Sequence, residues 1–239
     1  QEGSAELENL FDGVKSMFDN PKPTKLLENL VLLGNLKDND IVLDFFAGSV
    51  TTAHAVFNAN VRDGIQRRVV AIQIPEPNPK NSVAYKAGYA TIADISRQRI
   101  RLAGDKVFED YSAEFESREN ALDIGFRSYK LADTNFTKWR SNSDIDAPQL
   151  EQRLLELRES ADDNATPDDL LTEILLKQGH SLVEQIRDRD IAGLSCKAVV
   201  RVDDEGGEED TLVLAYLDEH TKPNLTQLRA ALGVKPAQF

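Results

Sequence analysis

One cysteine, one methionine and one tryptophan stand among 239 residues. The lone cysteine, Cys196, excludes an internal disulfide and any metal site built from several thiolates. Its default role is that of a small buried apolar side chain. No apolar run approaches the roughly 20 residues that span a bilayer, so no membrane segment is expected. The opening stretch QEGSAELENLFDG is acidic and lacks the basic-then-apolar layout of a secretory leader. A cytoplasmic location agrees with these absences. His54, His180 and His220 have no partners at ligand spacing, so no metal centre is expected. Internal repeats and low-complexity segments are missing too. So are the G-x-G-x-x-G dinucleotide turn and the lysine-bearing phosphate loop.

Basic charge is also scarce. Against 41 Asp and Glu stand 28 Lys and Arg, a net charge of −13, which argues against a DNA-binding surface spread over the chain. The excess is uneven. Residues 111–239 hold 26 acidic and 15 basic side chains, whereas residues 1–110 hold 15 and 13. Two electrostatic regimes suggest two domains, 1–110 and an acidic 111–239, and only the first is suited to lie near DNA.

What is present in the first region reads as alternating helix and strand. Pro21 and Pro23 push their preceding residues toward extended backbone. Thr24 can cap a helix with an apolar face of Leu26, Leu27, Leu30 and Val31. Ile41 to Leu43 is a short apolar strand of the kind buried on both faces of a parallel sheet. A turn with Gly48 leads to a helix over 51–60. A second strand over 69–74 ends at Pro75, and a helix over 92–102 is expected to stop at Gly104. Strand, turn, helix, strand is a doubly wound α/β pattern, with ligands at the carboxyl ends of the strands.

The second region reads as α+β. Residues 105–123 form a charged connector, 125–131 a strand, and a polar loop carries Trp139. Helices are expected at 148–159, 167–177 and 224–232. Thr166-Pro167-Asp168-Asp169 is a strong helix start and Gly179 a stop. Strands are expected at 198–202 and 211–217, joined by the acidic turn Asp203-Asp204-Glu205-Gly206-Gly207.

The segment with chemical content is Asp44-Phe45-Phe46-Ala47-Gly48-Ser49-Val50-Thr51-Thr52. Where a strand gives way to a helix, backbone N–H groups can face a ligand, and an acid at the strand end suits a hydroxyl-bearing or cationic group. A glycine there lets backbone approach closely. Without a phosphate loop, a nucleoside lacking phosphates fits best. His54 sits one turn into the following helix and is read as a packing residue rather than a chemical one.

The run DFFAGSVTTAHAV (44–56) resembles motif I of the amino-methyltransferases that act on DNA. NPKPTKLLENLVLL (20–33) and AIQIPE (71–76) are similar to the blocks around it in the β class of DNA adenine-N6 methyltransferases, and AYKAGYATIADISRQRIRLAG (84–104) resembles the third unit of type III modification subunits. GFRSYKL (125–131), NFTKW (135–139) and DLLTEILLKQG (169–179) resemble the C-terminal region of type III restriction-modification Mod subunits.

The resemblance implies a partial Rossmann-like methyltransferase sheet, the S-adenosylmethionine half, followed by a smaller α+β domain. It implies that Asp44, Phe45, Phe46, Ala47, Gly48 and Ser49 line the cofactor pocket. Lys22, Pro23 and Thr24 close it, and Glu76 holds the ribose hydroxyls with Gln73 and Ile74 beside it. Val50 departs from the glycine or small residue usual at its place. Facing the cofactor it would weaken binding, and facing the helix it would change little.

Adenine methylation needs the target base flipped out and received by a (Asp/Asn)-Pro-Pro-aromatic block. No such block occurs in the sequence, so no catalytic residue is assigned and the chain alone is expected to be inactive. The family order places that block and the target-recognition region before motif I. The partners implied are therefore the rest of the methyltransferase, DNA through the full-length protein only, and a restriction subunit. With its catalytic neighbour missing, the strand at 41–43 should expose an apolar edge and favour a homo-oligomer. A monodisperse monomer with that edge bare would contradict this. The alternative is a non-catalytic interaction module, or a degenerate remnant, that docks another modification or restriction subunit.

Overall fold

Two prolines and a left-handed Asn20 (φ 54°) fix the chain's entry into its first α/β unit. A computed structural model describes residues 2–116, 123–136, 165–202, 209–218 and 220–237. The chain divides into two compact units, Gln1–Ser128 and Tyr129–Phe239.

In the first unit, helix α1 (Glu2–Leu10) precedes α2 (Thr24–Leu33), β1 (Ile41–Asp44), α3 (Thr51–Asp63), β2 (Arg68–Ala71), α4 (Val83–Lys86), α5 (Ile92–Asp110) and α6 (Ser112–Glu116). The two strands pair in parallel, with Ile41 opposite Arg68 and Asp44 opposite Ala71. On one sheet face Val42 and Val69 pack with Val31 of α2 and with Val56 and Ala59 of α3. A second cluster joins Val50, Ala53, Phe57 and Val61 to Ile100, Ala103 and Val107 of α5. The small residues of α3 (Ala53, Ala55 and Ala59, each 0% exposed) let the helices close on it from both sides.

Several expectations shift. The sheet is covered on one face only among the described residues: Ile41, Leu43, Val70 and Ile72 are each about half exposed. β2 ends at Ala71, three residues before the expected limit. Thr24 is the first helical residue rather than the cap, and its N–H is met instead by the Glu6 carboxylate at 2.8 Å. Leu26 and Leu30 are exposed, because the face of α2 turned to α3 is that of Thr24, Glu28 and Val31.

Gly104 does not stop α5, which runs on to Asp110. It is buried where the Ile124 carbonyl passes, 3.2 Å from the place of a Cβ, so the glycine serves close approach rather than termination. The expected connector at 105–123 is helical as far as Glu116. Residues 125–131 form no strand. Instead Ile124 and Phe126 pack onto the α3–α5 cluster, with Arg101 stacked 5.5 Å over the Phe126 ring.

The second unit comprises α7 (Pro167–Lys177), β3 (Gln185–Ile191), β4 (Leu194–Val202), β5 (Glu209–Tyr216) and α8 (Leu225–Gly233). Its sheet is antiparallel in the order β3-β4-β5. Ala192 and Gly193, both left-handed, close the β3–β4 hairpin with the geometry that matches strand twist. Leu171 and Leu175 of α7 pack on Val199 and Val213. The alternate residues Cys196, Ala198 and Val200 pack with Ala231 of α8. Cys196 is accordingly buried, which pushes its thiol pKa up. Thr166 and Asp169 form the reciprocal cap expected of them, and His180 N–H bonds back to the Leu175 carbonyl beyond the left-handed Gly179. The expected helix at 148–159, Trp139 and the acidic turn at 203–207 lie outside the described residues.

Candidate cofactor site

The carboxyl end of the parallel sheet is held by a ladder that continues past the strands. Ile72 N–H donates to the Asp44 carbonyl at 2.8 Å, and Ala47 N–H donates to the Ile72 carbonyl at 3.1 Å. Gly48 N–H then donates to the Gln73 side chain at 2.7 Å, and the Gln73 amide donates on to the Ile74 carbonyl. The Asp44–Ser49 turn and residues 72–74 are thereby bound edge to edge. Asp44 braces the turn from within, one carboxylate oxygen accepting from Phe46 N–H (3.2 Å) and the other from the Thr52 hydroxyl (2.5 Å).

Gly48 is left-handed (φ 53°), and a Cβ there would stand 3.1 Å from the Phe18 ring. Val50 is left-handed as well (φ 59°, ψ 39°), an unusual conformation for a β-branched residue. Its side chain is 1% exposed and lies in the α3–α5 core, so its bulk faces the helices and only its backbone borders the turn.

Beneath the turn lies Arg99, fully buried on α5. One guanidinium nitrogen donates to Ser49 Oγ (2.8 Å) and Thr51 Oγ1 (2.6 Å), and the other to Thr24 Oγ1 (3.3 Å). Burial lowers its pKa to about 10, which leaves it charged at neutral pH. Sequence reading missed Arg99. The available signal was its place on the stripe Ile95, Ser96, Arg99, Ile100 and Ala103, a charge on an otherwise buried face.

The structure thus gathers three of the segments expected to form a pocket. Ser49 and Ala47 are buried, with the Ser49 hydroxyl turned inward to Arg99. Phe45 and Phe46 stand out from the turn, 59% and 87% exposed. Thr24 is buried and tied to Arg99, while Pro23 and Lys22 lie nearer the surface. Glu76 is exposed, but its backbone is fixed: its carbonyl accepts Ile92 N–H at 2.9 Å, and Pro77 bridges to Thr91.

A cleft between α1 and residues 14–20 touches this turn only through Phe18. His54, half-buried on α3, has its pKa lowered to about 4 by burial and then by Arg99, and its Nδ1 meets no partner among the described residues. A neutral imidazole whose Nδ1 is unbonded among the described residues agrees with packing. No helix among the described residues is long and apolar enough to cross a membrane.

Residues 3–103 match the family model described as DNA methylase, a span that contains all three pocket segments. The likeness to the DNA methylase family thus covers 101 of the chain's 239 residues. The chain is 42% identical over 132 residues to the type III restriction-modification enzyme StyLTI Mod subunit of Salmonella typhimurium, covering 55% of this chain and 19% of that one. It is 35% identical over 195 residues to the EcoPI Mod subunit of Escherichia phage P1 (80% and 27%). It is 34% identical over 192 residues to the EcoP15I Mod subunit of Escherichia coli (79% and 26%). The chain therefore spans about a fifth to a quarter of the length of these Mod relatives. The two longer matches reach well past residue 103, so the Mod likeness extends beyond the methylase region into the second unit.

Proposed function

We propose that the first unit is the S-adenosylmethionine-holding part of a site-specific DNA adenine-N6 methyltransferase of a type III restriction-modification system. The observation that carries this is the braced Asp44–Thr52 turn, zipped to residues 72–74 and lying in the span matched by the methylase model. The donor set suits a phosphate-free nucleoside. Asp44 ends β1, Glu76 lies on the segment that follows β2, and Gly48 permits close backbone approach. Asp44 and Gln73 keep the turn in shape, and the exposed Glu76 meets a ribose diol, with Ile74 and Phe46 offering apolar surface to the base. Lys22, Pro23 and Thr24 close the opposite wall. S-adenosylmethionine bound here supplies an electrophilic methyl group. The base-receiving block would come from the rest of the enzyme, together with the DNA contacts. In a completed Rossmann-like sheet the exposed face of Ile41, Leu43, Val70 and Ile72 would be covered by elements of that part or of a second copy.

For the second unit we propose a docking role toward a restriction or modification subunit. Its acidic composition and self-contained three-stranded core, with a helix on each face, favour a separable module.

Calorimetric titration of the chain with S-adenosylmethionine tests the main reading. Saturable binding should weaken about tenfold in Glu76→Ala, the scale of a lost charged hydrogen-bond pair. Absence of binding, or an unchanged affinity in Glu76→Ala, would count against it.

A further inference from the structure

Arg99 has a chemical peculiarity that bracing a turn does not require. Its guanidinium is fully buried, and among the described residues its Nε has no partner and no carboxylate lies at ion-pair distance. Its polar partners are three neutral hydroxyls, those of Thr24, Ser49 and Thr51. The acid whose charge acts on it is Glu6, and the Glu6 carboxylate is already engaged by Thr24 N–H. A buried charge of this kind is costly unless something compensates it.

Two of the three hydroxyls belong to the start of α3, a 13-residue helix whose cap residue is Val50 and which has no side-chain cap. The positive end of the helix dipole and the guanidinium charge therefore act at the same place. Ser49 and Thr51 both accept from Arg99 and share one O–H hydrogen between them at 3.4 Å, so one of the two hydroxyls keeps a hydrogen to donate elsewhere.

We propose that Arg99 is a positioning and specificity-determining residue of this turn, selecting ligands that carry a carboxylate on the arm lying at the start of α3. It acts through Ser49 and Thr51 rather than by touching the ligand. In a sulfonium or thioether nucleoside the group concerned is the amino-acid arm. The inference rests on the cofactor reading above.

The test compares two probes on the 239-residue chain. One is S-adenosylhomocysteine. The other is 5′-methylthioadenosine, which keeps the nucleoside and sulfur and lacks the amino-acid arm. In Arg99→Met the affinity for S-adenosylhomocysteine should fall about tenfold or more, and that for 5′-methylthioadenosine by less than about twofold. Arg99→Lys keeps the charge without the fork and should retain part of the preference. Thr51→Val removes one relaying hydroxyl at nearly constant shape and should shift the ratio in the same direction, which keeps the test decisive if Arg99→Met fails to fold.

Equal weakening of both probes would make Arg99 merely structural and overturn the proposal, as would an unchanged ratio. If the unaltered chain binds the nucleoside thioether but shows no preference for the carboxylate-bearing probe, this inference fails and the cofactor reading survives. If it binds neither probe, both fall.

Discussion

Val50 combines two opposing effects, and replacing it with alanine and with glycine separates them. Its side chain is 1% exposed in the α3–α5 cluster, while its backbone is left-handed at φ 59°. Val50→Ala removes two buried methyl groups, worth about 0.8 kcal/mol each before any cavity term, so a loss of about 1.5–2.5 kcal/mol is expected. At an ordinary buried position glycine would be worse by about 1 kcal/mol more, through its flexible unfolded state. Here glycine escapes a left-handed penalty of about 1–2 kcal/mol that alanine still bears. The two variants should therefore be about equally destabilised, or glycine slightly less so. Urea unfolding followed by far-UV circular dichroism measures the order, with the midpoints of the two units fitted separately because one transition is not assured. A glycine variant about 1 kcal/mol or more below the alanine variant would refute the strain argument.

Gly3 of α1 packs so closely on the Pro21–Lys22 backbone that a Cβ would stand 2.2 Å from the Pro21 carbonyl oxygen. Gly3→Ala should cost about 1–3 kcal/mol by overpacking and should weaken S-adenosylmethionine binding by displacing the Lys22–Thr24 wall, read by thermal melting and calorimetry together. In the second unit burial pushes the Glu173 carboxyl up, but hydrogen bonds from Lys177, Thr134 and Asn135 N–H outweigh it and bring its pKa down to about 2. A carboxylate depressed by folding stabilises above its unfolded pKa of 4.5 and loses that contribution as pH falls toward 2. Glu173→Gln should therefore be less stable than the unaltered chain at pH 7, and the gap should narrow between pH 4.5 and 2 in an acid-unfolding series. A gap that stays constant through that window would contradict the assignment.

Much of the local structure was legible in the sequence because each signal was short-range. Thr166-Pro167-Asp168-Asp169 and Gly179 bounded α7 correctly, since caps and left-handed stops depend on adjacent residues. The apolar runs that became β1, β4 and β5 were also recognisable, although β4 begins at Leu194, four residues early. What escaped notice depended on distant partners. β3, Gln185–Ile191, is so charged that only pairing with β4 and an ion pair from Arg189 to Glu209 reveal it as an edge strand. Gly104 looked like a helix stop until the Ile124 carbonyl was found beside it. The Asp44–Thr52 turn was legible as a ligand-binding element, but its support was not. Arg99, Glu6 and Phe18 come from three segments that fold onto it from elsewhere in the chain.

The most direct test is hydrogen–deuterium exchange of the 239-residue chain with and without saturating S-adenosylhomocysteine, read peptide by peptide by mass spectrometry. Slowed exchange is expected over residues 44–52, 72–76 and 22–24, with little change across β3, β4 and β5. Protection confined to the second unit, or none at all at saturation, would contradict the assignment of the cofactor to the Asp44–Thr52 turn.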